Sequence, residues 1–172
     1  NCGHGSAGPV LNAIENNFIK KKIRVSFIKI NAEPDGTFPT GVPNPLIKED
    51  QKITGEAVRL HRAHLGIAFD ADFDRCFFFD EKGNFVSGEY ILGVFAEAFF
   101  SKNPNETIVC DRRLIWNIQD IVSSEGGNIL YSKTGHVFFK EKMLEAAAIF
   151  GGELSGHYYY REFANCDSGM IP

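Results

Sequence analysis

Two apolar runs, LGIAF at residues 65–69 and CFFF at 76–79, are parted by six residues of which three are acidic: Asp70, Asp72 and Asp74, followed directly by Arg75. Both runs read as buried strands, and DEKGN at 80–84 reads as a tight reversal after the second. In extended chain, residues two apart face one side, and a tight loop can bend such an alternation around one point. Three converging carboxylates repel and raise one another's pKa unless a cation lies among them. A hard divalent ion with oxygen ligands is the expected occupant, Mg²⁺ ahead of Zn²⁺, because no Cys or His cluster adjoins. An exposed turn decorated with aspartates is the plainer alternative, and a D-x-D-x-D string by itself fits both. A Ca²⁺ loop of the EF-hand kind fits less well. Glu81 falls at the twelfth position from Asp70, but Arg75 stands where that loop needs Gly, and the flanks read as strands.

The 172 residues, 44% apolar and 23% charged, suffice for one sizeable core or two small ones. A net charge of -4 argues against a nucleic-acid partner, since phosphate backbones are held by clustered Lys and Arg. The basic run KKKIR at 20–24 reads as the solvated end of a helix. No stretch reaches transmembrane length and no secretory leader pattern is present, so no membrane partner is expected. Cys2, Cys76, Cys110 and Cys166 are widely spaced, which fits reduced thiols in a cytoplasmic protein, with Cys76 and Cys110 as small core residues.

Apolar spacing places helices at about 9–22, 48–64, 88–101 (with Ser87 as its cap), 114–124 and 137–147. Strands are expected at 23–30 (IRVSFIKI), 65–70 (LGIAFD), 75–80, TIVC at 107–110, NILYS at 128–132, AIFGG at 148–152 and HYYYR at 157–161. The segment 31–46 is too rich in Pro and Gly for either regular state. This alternation predicts an α/β protein of two consecutive mixed α/β domains, each a small mostly parallel sheet packed with helices. The turn formers of SKNPNE at 101–106 put the boundary there, giving domains at 1–103 and 104–172. The Gly-rich opening NCGHGSAGP would ordinarily follow a strand, and CDSGMIP ends where a helix begins, so a piece of a longer protein is expected, with the first strand and last helix truncated.

Four segments together carry a resemblance to the α-D-phosphohexomutase family. AFDADFDR at 68–75 resembles its metal-binding loop, usually D-G-D-x-D-R, and GGELSGHYYYR at 151–161 is similar to its sugar-recognition loop, G-E-x-S-G-H. SKTGHVFFKEKM at 132–143 resembles its interdomain K-x-G-H segment, and PDGTFPTGVPNPL at 34–46 its proline-rich loop. FANCDSGMIP at 163–172 is most like the bacterial phosphomannomutase branch. The resemblance covers essentially the whole chain.

The resemblance implies interconversion of hexose 6- and 1-phosphates, mannose ahead of glucose, by phosphoryl transfer through a hexose 1,6-bisphosphate. It implies Mg²⁺ held by Asp70, Asp72 and Asp74 with a phosphate oxygen, and Arg75 steadying that loop or the phosphate. Glu153 and Ser155 would bind sugar hydroxyls, with Gly156, His157, Lys133, Thr134 and Gly135 in the substrate site. Arg75, Arg113, His136 and His157 are the implied catalytic positions; His4, His61 and His64 have no motif behind them.

The chain departs from the family pattern twice. Ala71 replaces the usual Gly of the metal loop, and neither a phosphoserine loop of the A-S-H-N type nor a fourth-domain phosphate loop is found. The expected identity is therefore the second and third domains of a four-domain enzyme, inactive alone and missing the first and fourth. A non-catalytic metal- or sugar-binding module is the alternative of another class.

Overall fold

A computed structural model describes the chain except for Leu114 and the side chains of residues 115–117. The chain divides into two compact units, Asn1–Phe85 and Val86–Pro172. Among the described residues, no helix is long and apolar enough to cross a membrane.

The first unit holds α1 (Ala7–Lys20), α2 (Lys48–His61), β1 (Gly66–Phe69) and β2 (Cys76–Phe79), and β3 (Phe85–Val86) lies at its end. Helix α2 follows the electrostatics of its sequence: Glu49 and Asp50 lie in the first turn and Arg59 and His61 in the last, each complementing the dipole at that end. Its Val58 packs with Ala68 of β1 and Phe79 of β2 in the unit's core, with Ala63 and Phe85 against them. The sheet runs in the order β1-β2-β3. Within the α/β class expected, the β1-β2 pair is antiparallel, with Phe69 opposite Cys76 and Gly66 opposite Phe79. Six connecting residues cannot make the crossover that parallel pairing requires, so the aspartate loop itself dictates the reversal.

The stretch 23–30 does not form the expected strand; residues 23–29 carry no ladder. A strand needs a neighbour, and among the described residues backbone bonds to one are found at the end of this segment. There Ile30 and Asn31 carbonyls accept from the N–H groups of Cys2 and His4 at 3.1 and 2.8 Å. Asn1 in turn lies alongside β1: its ammonium donates to the Ile67 carbonyl at 2.7 Å, and Phe69 N–H donates to the Asn1 carbonyl at 3.0 Å. Between 23–30 and β1 lies an apolar groove of about 220 Å³, lined by Val25, Phe27, Ile28, Leu65 and Ile67 among others. Residues 31–46 are irregular, as expected from their Pro and Gly content.

The second unit holds α3 (Gly88–Lys102), β4 (Thr107–Asp111), α4 (Ile115–Glu125), β5 (Asn128–Ser132), α5 (His136–Ala146), β6 (Phe150–Gly152), β7 (Tyr158–Tyr160), a 3₁₀ turn (Arg161–Phe163) and β8 (Cys166–Asp167). Each helix lies within about three residues of its expected bounds; the expectation that α4 starts at 114 falls outside the described residues. Ser87 occupies the cap position of α3 with extended backbone, but its side chain makes no capping bond. The sheet order is β5-β4-β6-β7-β8, with β4 parallel to both β5 and β6 and the remaining pairs antiparallel.

Alternation along β7 assigns the two faces of this sheet. Tyr158 and Tyr160 meet Phe95 and Phe99 of α3, whereas Tyr159 stacks on Phe139 of α5 at 5.2 Å between ring centroids. On the α5 side, Val109, Phe139, Met143, Ala148 and Tyr159 form one cluster. On the α3 side, Phe150 of β6 contacts Phe95 and Phe99, and a Cβ on Gly152 would come within 2.1 Å of Leu92. Helix α3 thus belongs to the second unit. The SKNPNE segment at 101–106, where the sequence placed the boundary, is the link between α3 and β4 inside that unit. Turn formers mark a chain reversal; they do not say whether the two flanking elements pack together.

Candidate functional site

The aspartate loop is the connection between β1 and β2. Asp70, only 2% exposed, accepts the Arg75 N–H at 3.1 Å on Oδ1 and the Arg75 Nε–H at 2.7 Å on Oδ2. Arg75 Nε is also 3.6 Å from Asp74 Oδ1, and its guanidinium lies 6.0 Å from the centre of the Phe77 ring. Burial pushes the Asp70 carboxyl up, against the pull of Arg75 and with the help of Asp74, and the net is above the ordinary range. The carboxylates of Asp70, Asp72 and Asp74 each present an oxygen, all within 4.8 Å of one another. An ion bound about 2.0–2.1 Å from each oxygen separates them by roughly 3 to 4 Å, so the donor set fits Mg²⁺ with a small adjustment. The flanks are strands rather than helices, which disposes of the EF-hand alternative.

The Gly-rich opening braces this loop from one side. Ser6 N–H donates to the Ala71 carbonyl at 2.9 Å, and a Cβ on Gly5 would come within 2.4 Å of that same oxygen. Ala71 itself is not among the residues of positive φ, so its methyl group in place of the usual hydrogen costs the loop no backbone strain; Phe73, at φ 50°, carries the left-handed turn instead.

In the second unit, the parallel strands β5, β4 and β6 deliver their following residues to one edge of the sheet, the usual place for a ligand crevice in such folds. From β4 comes Asp111, 1% exposed, which accepts the Arg113 backbone N–H at 3.1 Å, its Nε–H at 3.0 and 3.1 Å, and its terminal N–H at 2.5 Å. Burial pushes the Asp111 carboxyl up, but the Arg113 hydrogen bonds and charge, aided by Thr134, outweigh it and hold it below the ordinary range. Those bonds raise the Arg113 guanidinium in turn, with the Glu153 charge adding to the effect. From β5 come Lys133, Thr134 and Gly135, with Thr134 donating to Asp111 at 3.3 Å.

From β6 comes Glu153, 2% exposed. Its Oε1 accepts the Tyr159 hydroxyl at 2.5 Å, and its Oε2 accepts the Gly135 N–H at 3.2 Å at the start of α5. Ser155 Oγ lies 3.5 Å from the same Oε2 and 2.9 Å from His157 Nδ1, and His157 Nε2 lies 4.0 Å from Asp167. Gly156, at φ 91°, turns the chain so that its N–H donates to the Glu153 carbonyl at 3.1 Å.

Arg113, Thr134, Gly135, Glu153, Ser155 and His157 are thus brought into one network. Lys133 and His136 stand beside it without a hydrogen bond to Glu153 among the described residues: the Lys133 ammonium lies over the Phe138 ring at 5.7 Å, and His136 is exposed at the first position of α5. Two network members escaped the sequence reading. Asp111 was legible as a carboxylate ending an apolar strand just before Arg112-Arg113, whereas Tyr159 is one of three consecutive tyrosines and nothing local distinguishes it.

Comparison with known proteins places both units. Residues 1–83 match the sequence model described as phosphoglucomutase/phosphomannomutase, alpha/beta/alpha domain II, and residues 87–172 match domain III of the same family. Phosphomannomutases of Escherichia coli K12 and Vibrio cholerae are 55% and 52% identical to the chain over all 172 residues, which span 38% and 37% of their lengths. A crystal structure of a phosphoglucomutase/phosphomannomutase family protein from Burkholderia thailandensis superposes with a TM-score of 0.88 at 30% identity, over 98% of this chain and 36% of that one. The chain spans well under half the length of these relatives and belongs to the phosphoglucomutase/phosphomannomutase family of α-D-phosphohexomutases, of which it carries domains II and III.

Proposed function

We propose that this chain is the metal- and sugar-binding centre of a mutase that interconverts mannose 6-phosphate and mannose 1-phosphate through a hexose 1,6-bisphosphate. The observation that carries the reading is the oxygen-only donor set of Asp70, Asp72 and Asp74, gathered within 4.8 Å on one six-residue loop. Relatives at 52–55% identity bear the name phosphomannomutase, which favours mannose over glucose as the sugar. The phosphoserine that exchanges the phosphoryl group, and the grip on the substrate's distal phosphate, would come from the first and fourth domains of the longer protein. The four free cysteines fit a cytoplasmic setting.

Phosphoryl transfer depends on positioning and on neutralising charge. Mg²⁺ bound to the three aspartates would supply the neutralisation. Arg75 keeps Asp70 oriented within that loop through its two hydrogen bonds. Glu153 accepts hydrogen bonds from adjacent sugar hydroxyls while Ser155 exchanges one with them, a set of contacts that serves the sugar in either of two orientations. Arg113 and Lys133 offer cations to the sugar-bound phosphate, the backbone of Thr134, Gly135 and Gly156 shapes the floor of the site, and His157 and His136 hold or move protons at hydroxyl or phosphate oxygens.

The test is a coupled assay of the full-length protein with mannose 1-phosphate and, separately, glucose 1-phosphate, each with catalytic hexose 1,6-bisphosphate. Turnover that is lost in Asp72→Asn, while this chain alone is inactive, is the expected result. Absence of turnover with both sugars overturns the reading, and a clear preference for glucose 1-phosphate reassigns the substrate.

A further inference from the structure

Glu153 presents a problem of physical chemistry that the proposed sugar contact does not solve. A carboxylate that is 2% exposed is costly to bury unless donors meet it, and one that is to receive sugar hydroxyls must also leave an oxygen available. The two oxygens are differently occupied. Oε2 faces the strand-end network, near the Gly135 N–H at 3.2 Å and Ser155 Oγ at 3.5 Å. Oε1 takes the hydroxyl of Tyr159, a fully buried residue of the antiparallel strand β7, at 2.5 Å.

The Tyr159 ring is held independently of that bond. It stacks on Phe139 of α5 with 5.2 Å between centroids and 15° between planes, and it belongs to the cluster of Val109, Met143 and Ala148. It also stacks with His157, at 6.3 Å and 22°, whose Nδ1 meets Ser155. One buried side chain therefore touches two of the three polar residues of the G-E-x-S-G-H loop, with its rotation fixed by the core beneath. A hydroxyl carried on so rigid a ring is a directed donor, and a donor to one carboxylate oxygen sets the plane in which the other is presented.

We propose that Tyr159 is a positioning residue, which anchors Glu153 through Oε1 so that Oε2 is presented to the sugar hydroxyls. This rests on the mutase reading above and deepens it, adding the residue that orients the sugar acceptor. Without the Tyr159 hydroxyl, Oε1 is buried facing a hydrocarbon ring, and Glu153 meets this loss by turning away from its working geometry.

Steady-state kinetics of the full-length protein with mannose 1-phosphate test this with Tyr159→Phe, Glu153→Gln and the double variant. Tyr159→Phe keeps the ring and its stacking and removes only the donor. KM is expected to rise about tenfold, with a smaller change in kcat. In the Glu153→Gln background, Tyr159→Phe is expected to add less than about twofold, because the two substitutions break one interaction. A parent enzyme that turns over while Tyr159→Phe matches it, or adds its full effect on top of Glu153→Gln, overturns the inference and leaves the mutase reading standing. A parent with no turnover of any hexose phosphate overturns that reading and the inference with it.

Discussion

Asp111 and Arg113, two residues apart, are joined by hydrogen bonds from both the backbone and the guanidinium of the arginine, with the aspartate 1% exposed and the arginine side chain 53% exposed. A buried carboxylate at a strand end thus pins a cation that projects into solvent beside Glu153. The charge is delivered to the network by a rigid element rather than by a free side chain, at an entropic advantage over a mobile arginine.

Asp111→Asn leaves the shape of that anchor but removes its charge. Arg113 is expected to lose its fixed position, and kcat/KM of the full-length protein for hexose phosphate to fall about 10- to 100-fold. Arg113→Lys is expected to recover little, since an ammonium cannot make the paired contacts. Activity in Asp111→Asn equal to the parent's shows that the pair is only structural.

The same pair gives a pH dependence. The folded-state pKa of Asp111 lies below its unfolded value, so the unfolded chain binds the proton more readily. Its stabilising contribution is fully present above about pH 4 and is lost as the pH falls through the depressed value. Melting temperatures measured between pH 3 and pH 7 should fall less steeply with acid in Asp111→Asn than in the parent.

Mg²⁺ is expected to raise the melting temperature of the full-length protein, because an ion that binds only the folded loop stabilises by mass action. Asp72→Asn should abolish this shift. Calorimetry on this chain alone should give weak binding, since without a phosphate oxygen three carboxylates leave the remaining positions of Mg²⁺ to water. Tight binding that survives Asp72→Asn would remove the aspartate loop from consideration.

Gly5→Ala tests the brace behind the aspartate loop. The new methyl group would meet the Ala71 carbonyl oxygen at 2.4 Å and the Ala71 Cα at 2.9 Å, both backbone atoms with nowhere to rotate. A loss of about 1–3 kcal/mol in stability and a weaker response to Mg²⁺ are expected together. A stability loss with an unchanged metal response means that the loop relaxes independently of the Gly-rich segment.

The aspartate loop and the helices were legible because each is written locally. Two apolar runs with three carboxylates between them, and apolar residues at helical spacing, hold wherever the segment lies in the fold. The strand expected at 23–30 was not, because a strand exists only with a partner, and among the described residues the backbone bonds from this segment to a neighbouring one fall at Ile30 and Asn31. The domain boundary was obscured for a related reason: SKNPNE looks like a linker, yet Phe95 and Phe99 before it pack on Phe150 after it.

The division runs through the site itself. From the sequence alone come the residue types of both loops: the aspartates with Arg75, and Glu153, Ser155 and His157. The aspartates are marked by their spacing between two apolar runs, whereas Glu153, Ser155 and His157 are marked by the resemblance of their segment to the family's sugar-recognition loop. Tertiary structure alone decided that Asp111 would hold Arg113 and that Tyr159, among three adjacent tyrosines, would hold Glu153. The face on which each residue of β7 lies follows from which helix covers which side of the sheet, and that is settled by burial of aromatic surface between elements far apart in the chain.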